Sequence, residues 1–130
     1  MAATWNARYA MDTVFLQGLE LRSVIGVHAW ERAFAQRLRL DVALTTSIQA
    51  AATSDALDDA IDYAALAETL TARARQAHYA LIEALAEDLA AIALKDPRIQ
   101  CVELTLYKPG ALPDAQSVGV NITRSQSEDS

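Results

Sequence analysis

The sequence has little cysteine and little histidine, and this scarcity excludes several kinds of site. Of its 130 residues, one is a cysteine and two are histidines. Cys101 alone forms neither an intrachain disulfide nor a cluster of zinc-bound thiolates, which is typical of a protein from a reducing cytoplasm. His28 and His78 are too few for a three-histidine zinc site, which leaves only a mixed site with carboxylates open. We therefore expect no bound metal.

Basic residues are in deficit, and long apolar runs are missing. Lys and Arg number 11 against 17 Asp and Glu, which gives a formal net charge of −6. The chain lacks the positive field that binding to a phosphate backbone requires, so nucleic acid is not an expected partner. Charged residues interrupt every apolar stretch before the roughly 18 residues needed to cross a bilayer, and no signal peptide is recognised. The sequence predicts an unexported, cytoplasmic protein without a membrane partner.

The length of the chain predicts one domain with one hydrophobic core. Residues 1–10 show no stable periodicity, and we expect them to be a disordered extension. The single domain is expected to cover residues 11–124. The polar residues 125–130 are expected to form a disordered tail.

Strand periodicity occurs on both sides of a central helical region. Residues 12–27 are rich in Val, Leu, Ile and Phe, and Gly18 interrupts them as a β-bulge interrupts a long strand. A hairpin over residues 28–36 is the simplest connection to the next strand. Three later stretches alternate between apolar and polar side chains, as half-buried antiparallel strands do, namely 37–44, 101–107 and 118–122.

Two helices are predicted between these pairs of strands. Residues 53–62 offer several N-cap side chains, and an alanine-rich run follows to about Ala77. A second helix has apolar residues at helical spacing between Leu81 and Ile92, and the proline at position 97 ends it. Pairs of strands around a pair of helices predict an α+β domain, with a four-stranded antiparallel sheet and two helices on one face, in the order ββααββ.

The face of the sheet away from the helices is mixed in polarity rather than apolar. Such a face suits either contact with solvent or the lining of a ring formed when copies of the chain join edge to edge. Open edge strands favour that kind of pairing. Composition alone does not decide between the two.

Four segments hold residues with chemical potential, and each also has an ordinary structural interpretation. Trp30 would pack on the sheet, and Tyr63 at a helix start would pack with its hydroxyl at the surface. Glu83 and Glu87, four residues apart in a helix, would be two solvated carboxylates. Lys108 would be an ordinary charge at the end of a strand. The four segments are residues 24–32, 61–63, 81–87 and 106–111.

Taken together and in this order, the segments resemble the dihydroneopterin aldolase family of bacteria. The resemblance extends from Met11 to about Arg124, which is nearly all of the predicted domain. Each motif alone is weak, whereas the combination is specific. The residues that carry the resemblance are Ile25-Gly26-Val27, Trp30-Glu31, Asp62-Tyr63, Ile82-Glu83 and Lys108-Pro109-Gly110-Ala111.

The resemblance implies a fold, an assembly and a reaction. Members of the family adopt the tunnelling fold, in which sheets join into a tetrameric ring, two rings stack into an octamer, and active sites lie between subunits. They cleave 7,8-dihydroneopterin by a retro-aldol reaction into 6-hydroxymethyl-7,8-dihydropterin and glycolaldehyde, a step toward folate. The dihydropterin ring itself accepts the electrons, so neither a Schiff base nor zinc is used. No cofactor is therefore expected.

The resemblance also assigns roles to five residues. Lys108 matches the general acid/base, and Glu31 matches a glutamate close to the hydroxyl groups of the substrate. Tyr63, reaching in from a neighbouring subunit, matches a tyrosine that assists proton transfer. Glu83 matches the carboxylate that anchors the pterin through its amino group and ring N–H, with further contacts from the main chain at Ile82.

Two alternatives to the aldolase stay open, together with one departure from the family pattern. A related epimerase, which inverts C2′ of dihydroneopterin triphosphate, shares the fold, although the Lys-Pro-Gly-Ala segment favours the aldolase. A non-catalytic, ring-forming pterin-binding protein would use Glu83 and leave Lys108 as a surface charge. The departure is His28, since many relatives have a tyrosine at this position. His28 either contacts the substrate or only packs.

Overall fold

A computed structural model describes residues 11–126, which form a five-stranded sheet and three α-helices. The predicted extension, 1–10, and the last part of the predicted tail, 127–130, lie outside the described residues. Two short 3-10 turns, Ala29–Ala33 and Leu57–Asp59, occur in the connections. The strands are β1 (Asp12–Ile25), β2 (Gln36–Thr46), β3 (His78–Tyr79), β4 (Cys101–Pro109) and β5 (Ser117–Ser125), and the helices are α1 (Gln49–Ser54), α2 (Tyr63–Gln76) and α3 (Ile82–Ala93).

The sheet contains one strand more than the four that the sequence predicts. Its order is β3-β1-β2-β4-β5, and every neighbouring pair is antiparallel except β3 with β1, which is parallel. The added strand consists of His78 and Tyr79, which pair with Val24 and Ile25 at the end of β1. Two residues are too few to produce an alternating pattern, so periodicity does not reveal this strand.

The helices include the two predicted ones, α2 and α3, and a third, α1. The six residues of α1 contain no buried side chain, so they have no apolar face that periodicity would detect. Asp62 starts α2, since its carboxylate accepts a hydrogen bond from the backbone N–H of Ala65 at 3.0 Å. Within residues 11–126, none of the helices has the length and apolar character that a bilayer crossing requires.

The predicted bulge in β1 is confirmed at Gly18. The register between β1 and β2 shifts between Leu16 and Leu19. Gly18 has φ +73°, and its N–H donates a hydrogen bond to Asp41 Oδ1 at 2.7 Å. Glycine adopts this backbone conformation at little cost because it has no Cβ. The long strand can therefore bend without losing its pairing with β2.

The core lies between one face of the sheet and the helices α2 and α3. The apolar face predicted for β2 is confirmed, since Leu38, Leu40, Val42 and Leu44 are at most 1% exposed. Full burial of each such side chain stabilises the fold by about 1.5–3 kcal/mol. The helices contribute Leu70, Ala74, Leu85, Ala86, Leu89, Ala90 and Ala93 to the same core.

The ordered sheet extends past the predicted domain boundary at Arg124. Ser125 is the last residue of β5. Gln126 follows, and its side-chain amide donates hydrogen bonds to three backbone carbonyl oxygens in the connection between α3 and β4. These carbonyls need donors, which explains why the first two residues of the expected tail belong to the fold.

Candidate active site

One ion pair joins two of the residues to which the resemblance assigns roles, Glu31 and Lys108. Lys108 Nζ lies 2.7 Å from Glu31 Oε2, although the two residues are 77 positions apart in the chain. The side chain of Glu31 is 10% exposed and that of Lys108 is 18% exposed. A charge-assisted hydrogen bond in such a sheltered place holds both side chains in a defined geometry. The fold therefore brings the predicted acid/base lysine and the predicted glutamate together.

The two side chains come from different kinds of element. Leu104 and Leu106 on β4 are fully buried, and strand alternation puts Lys108 on the same, helix-facing side near the end of the strand. Glu31 lies in the 3-10 turn between β1 and β2. Pro109 ends β4, and Gly110, at φ +75°, begins the turn toward β5. Lys108 thus stands on a rigid strand and Glu31 on a short irregular segment.

The surroundings of Glu31 favour its charged form. The hydrogen bond from Lys108 is the largest cause that lowers the pKa of Glu31, and the backbone N–H of His28, 3.1 Å from Oε1, lowers it further. Burial acts in the opposite direction and is outweighed. Glu31 is therefore a carboxylate at neutral pH, and it places a negative charge next to Nζ of Lys108.

Gly26 provides the space that Glu31 occupies. Gly26 has φ +142°, and a Cβ placed on it would lie 2.6 Å from Cδ and 2.8 Å from Oε1 of Glu31. Only a residue without a side chain allows the carboxylate to sit there. Arg32 closes the same connection, since its Nη1 donates to the carbonyl oxygens of Gly26 at 3.1 Å and Val27 at 2.9 Å.

Gln36 is a residue of this site that the sequence did not point to. Its Nε2 donates hydrogen bonds to the carbonyl oxygen of Ile25 at 2.5 Å and to that of Glu31 at 3.1 Å. One signal was present, because Gln36 shares the strand parity of the buried residues Leu38 and Leu40. A polar residue on an apolar face has to find hydrogen-bond partners, and this one finds them beside Glu31.

Ile82 and Glu83 lie at the same end of the sheet as Glu31. Both belong to the first turn of α3, where Ile82 is half-buried and Glu83 is exposed. The helix starts three residues after Tyr79, whose carbonyl oxygen accepts a hydrogen bond from Gly26 N–H at 3.3 Å. The start of α3 is therefore attached to the connection that carries Glu31.

Glu83 and Glu87 share a helix face, but their surroundings differ. Arg124 on β5 binds Glu87, with Nε 3.0 Å from Oε1, and this hydrogen bond lowers the pKa of Glu87. Among the ion pairs within residues 11–126, none involves Glu83. Glu87 fastens α3 to the sheet, whereas the carboxylate of Glu83 is available to a ligand.

Tyr63 is not brought to Lys108 within one chain. Its side chain is 58% exposed, and it lines a cavity of about 130 Å³ together with Val14 and Thr46. Val14 lies near the start of β1, and the Glu31 connection follows its other end. Eleven residue steps separate Val14 from Ile25, which at about 3.3 Å per residue amounts to about 36 Å along the strand. A site that uses both Tyr63 and Lys108 would need a second chain.

His28 and Trp30 form an exposed stack beside Glu31. Their ring centroids are 5.8 Å apart and the ring planes differ by 5°. Trp30 is 69% exposed, so the expectation that it packs on the sheet is wrong. Both residues are exposed in this short connection. No group of three or more potential metal ligands is found within the described part of the chain, around His28 or elsewhere.

Comparisons with known proteins identify the family of the chain. The family model FolB: Dihydroneopterin aldolase matches residues 14–123. A dihydroneopterin aldolase of Escherichia coli K12 is 38% identical over 114 residues, which cover 88% of this chain and 93% of that protein.

Solved structures resemble the chain over the same length. A putative dihydroneopterin aldolase from Vibrio cholerae has a TM-score of 0.86 at 36% identity, covering 89% of this chain and 98% of its own. The Escherichia coli enzyme in complex with neopterin has a TM-score of 0.84 at 37% identity, covering 88% and 99%. The order of the motifs, the fold and these similarities lead to one conclusion: the chain belongs to the dihydroneopterin aldolase family.

Proposed function

We propose that the chain cleaves 7,8-dihydroneopterin into 6-hydroxymethyl-7,8-dihydropterin and glycolaldehyde, as a carbon–carbon lyase of folate biosynthesis. The observation that carries the proposal is the sheltered pair of Lys108 and Glu31, 2.7 Å apart, in a member of this family. A lysine held in this way is suited to proton transfer, which is the chemistry that a retro-aldol cleavage needs.

The reaction moves protons and one electron pair. The 2′-hydroxyl of the substrate loses its proton as the C1′–C2′ bond breaks, and C2′ leaves as the aldehyde carbon of glycolaldehyde. The electron pair of that bond passes through C1′ into the C6–N5 imine of the ring, and N5 takes up a proton. A proton then returns to C1′ while N5 loses one. The ring is thus the electron acceptor, and no redox partner is needed.

Lys108 is the proposed general acid/base, with Glu31 next to it. The ionised Glu31 keeps the ammonium group of Lys108 oriented, and it lies where it can accept hydrogen bonds from substrate hydroxyls. Tyr63 would assist the proton transfer. These three are the proposed catalytic residues.

Glu83 and Ile82 are proposed to bind the pterin ring. A planar pair of N–H donors is matched by an acceptor with two oxygens, and Glu83 has an exposed carboxylate without an ion-pair partner among residues 11–126. Glu83 lies in the first turn of α3, where the helix dipole favours a negatively charged side chain. The structure of the Escherichia coli relative with neopterin supports a pterin as the ligand.

Tyr63 is proposed to reach the site from a neighbouring subunit in a ring. The separation of Tyr63 from Lys108 within one chain supports this. The outer edge of β5 has no partner strand within residues 11–126, and β3 covers only the last two residues of β1. Edges of this kind favour pairing between copies. A tetramer, or an octamer of two stacked rings with the tunnelling fold, would bury these edges and complete the sites.

The remaining expectations complete the proposal. The enzyme would act in the cytoplasm as a single domain that includes Ser125 and Gln126, without a metal or cofactor.

Release of glycolaldehyde tests the proposed function. Purified protein should cleave 7,8-dihydroneopterin in the presence of a chelator, and Lys108→Ala should lower kcat by about 100- to 10,000-fold while pterin still binds. Lys95→Ala is the matched control, because Lys95 is exposed and is the other lysine of the chain. Full turnover by Lys108→Ala would contradict the assignment. Activity only with the triphosphate would indicate the epimerase, and binding without turnover a non-catalytic protein.

A further inference from the structure

The glutamate that contacts Lys108 lies in a segment with little regular support. Its 3-10 turn has five residues, and the backbone hydrogen bond from Glu31 N–H to the carbonyl of His28, at 3.0 Å, closes the turn only on itself. Arg32 likewise binds carbonyls within the same connection. Short 3-10 turns and loops are among the more mobile parts of a fold. The ion pair with Lys108 fixes only the end of the Glu31 side chain, so the main chain of the turn needs a separate contact to the sheet.

The side chain of Gln36 makes that contact. Gln36 is the first residue of β2, it is half-buried, and its backbone pairs with Ser23 of β1. A primary amide has two N–H groups, and the partners of this one are the carbonyl oxygens of Ile25 and Glu31. Both partners are acceptors, so the orientation of the amide is unambiguous. Gln36 therefore links the end of β1, the start of β2 and the main chain of Glu31.

We propose that Gln36 is a positioning residue, which holds the carboxylate of Glu31 against Lys108 by fixing the main chain of Glu31. This inference rests on the proposed aldolase function, and it adds a residue that acts through Glu31 rather than on the substrate. Without the amide, the turn is free to shift relative to β4. A displacement of about 1 Å in a catalytic group can cost about 100-fold in rate.

A second glutamine of the chain provides a matched control. The Gln126 amide donates to the carbonyl oxygens of Leu94, Asp96 and Ile99, at the opposite end of β4 from Lys108. Gln36→Met and Gln126→Met both replace a bracing amide with an apolar side chain of similar length. Both should lower the melting temperature, whereas only Gln36→Met should lower kcat, by about 10- to 100-fold and with a smaller change in KM. Equal kcat in the two variants would overturn the proposal.

A double variant tests whether the effect passes through Glu31. In a Glu31→Ala background, Gln36→Met should cause no further loss of kcat, because the group that it positions is gone. The same loss factor in both backgrounds would show a different role and overturn the proposal. Absence of cleavage by the unaltered enzyme would instead refute the aldolase function itself, so the two failures are distinguishable.

Trp30, next to Glu31, reports on the turn without any turnover. In a Trp5→Phe background it is the one remaining tryptophan. Its fluorescence anisotropy should fall in Gln36→Met and stay unchanged in Gln126→Met. Gln36→Asn, a milder change that keeps the amide but is too short to bind both carbonyls, should also lower the anisotropy and kcat. Unchanged anisotropy and kcat in both Gln36 variants would overturn the proposal.

Discussion

Lys108 affects the pKa of Glu31, and Glu31 affects the orientation of the Lys108 side chain. Burial alone would raise the pKa of a carboxyl group, but the hydrogen bond from Lys108 lowers the pKa of Glu31. In return, the fixed carboxylate restricts a flexible lysine side chain to one direction. Residues coupled in this way act as a unit, and the effect of removing one is not a measure of its separate contribution.

Gly26→Ala should disturb this unit by occupying the space of Glu31. The new Cβ would overlap Glu31 Cδ and Oε1 in addition to straining the backbone at φ +142°. We expect a loss of at least about 2 kcal/mol in the free energy of unfolding and of at least about tenfold in kcat. Urea unfolding and steady-state kinetics measure the two effects.

Gly18→Ala separates backbone strain from steric overlap. Gly18 also has a positive φ, +73°, but a Cβ there would meet nothing within 4 Å. Its replacement should cost about 1–2 kcal/mol of stability and leave kcat unchanged. If Gly26→Ala also left kcat unchanged, Glu31 would not depend on that space.

Among the elements, those with several residues in a repeating pattern were predicted from the sequence. β2 shows this, because the buried residues from Leu38 to Leu44 alternate with polar ones. β3, with two residues, and α1, without a buried face, have no pattern to detect. They form because β1 has an open edge at Val24 and Ile25 and because the chain has to lead from β2 to α2.

The sequence indicated which residues belong to the candidate site better than it indicated which of them are in contact. The order of the motifs indicated Glu31 and Lys108, but nothing local indicates that residues 77 positions apart touch. That contact depends on the turn after β1, which in turn depends on Gly26 and Gln36. The ordinary structural interpretation of Trp30, in which the ring packs on the sheet, was wrong, because the side chain is 69% exposed.

Asp62→Ala should weaken the element that presents Tyr63. Asp62 caps α2 through a hydrogen bond to Ala65 N–H, and loss of such a cap costs about 0.5–2 kcal/mol. Thermal unfolding at fixed protein concentration measures the change. Asp58→Ala is the control, since Asp58 is also exposed and lies in the preceding 3-10 turn, outside α2. Equal destabilisation by both substitutions would argue against the cap.

At the scale of the whole molecule, the proposal that each site combines Lys108 of one chain with Tyr63 of another can be tested directly. If each site takes these residues from two different chains, Lys108→Ala and Tyr63→Ala subunits can complement each other. Co-expressed at equal amounts, they should assemble into rings in which about a quarter of the sites have both residues intact. Glycolaldehyde release by the mixed protein measures this fraction.

The control for this experiment pairs Lys108→Ala with the double variant Lys108→Ala/Tyr63→Ala. No site in that mixture has an intact lysine, so activity should stay at the level of the separate variants. A mixture of the two single variants that is equally inactive would contradict shared sites.

The hydrogen bond from Gly26 N–H to the carbonyl of Tyr79 joins the connection after β1 to the end of β3. One leads to Glu31 and the other, through β3, to the start of α3 with Glu83. This hydrogen bond would couple a displacement of either segment to a displacement of the other. If Glu83 binds the pterin ring and Glu31 lies near the hydroxyl groups of the substrate, the two glutamates would move together. The distance between the group that binds the ring and the group near the cleaved bond would then stay constant.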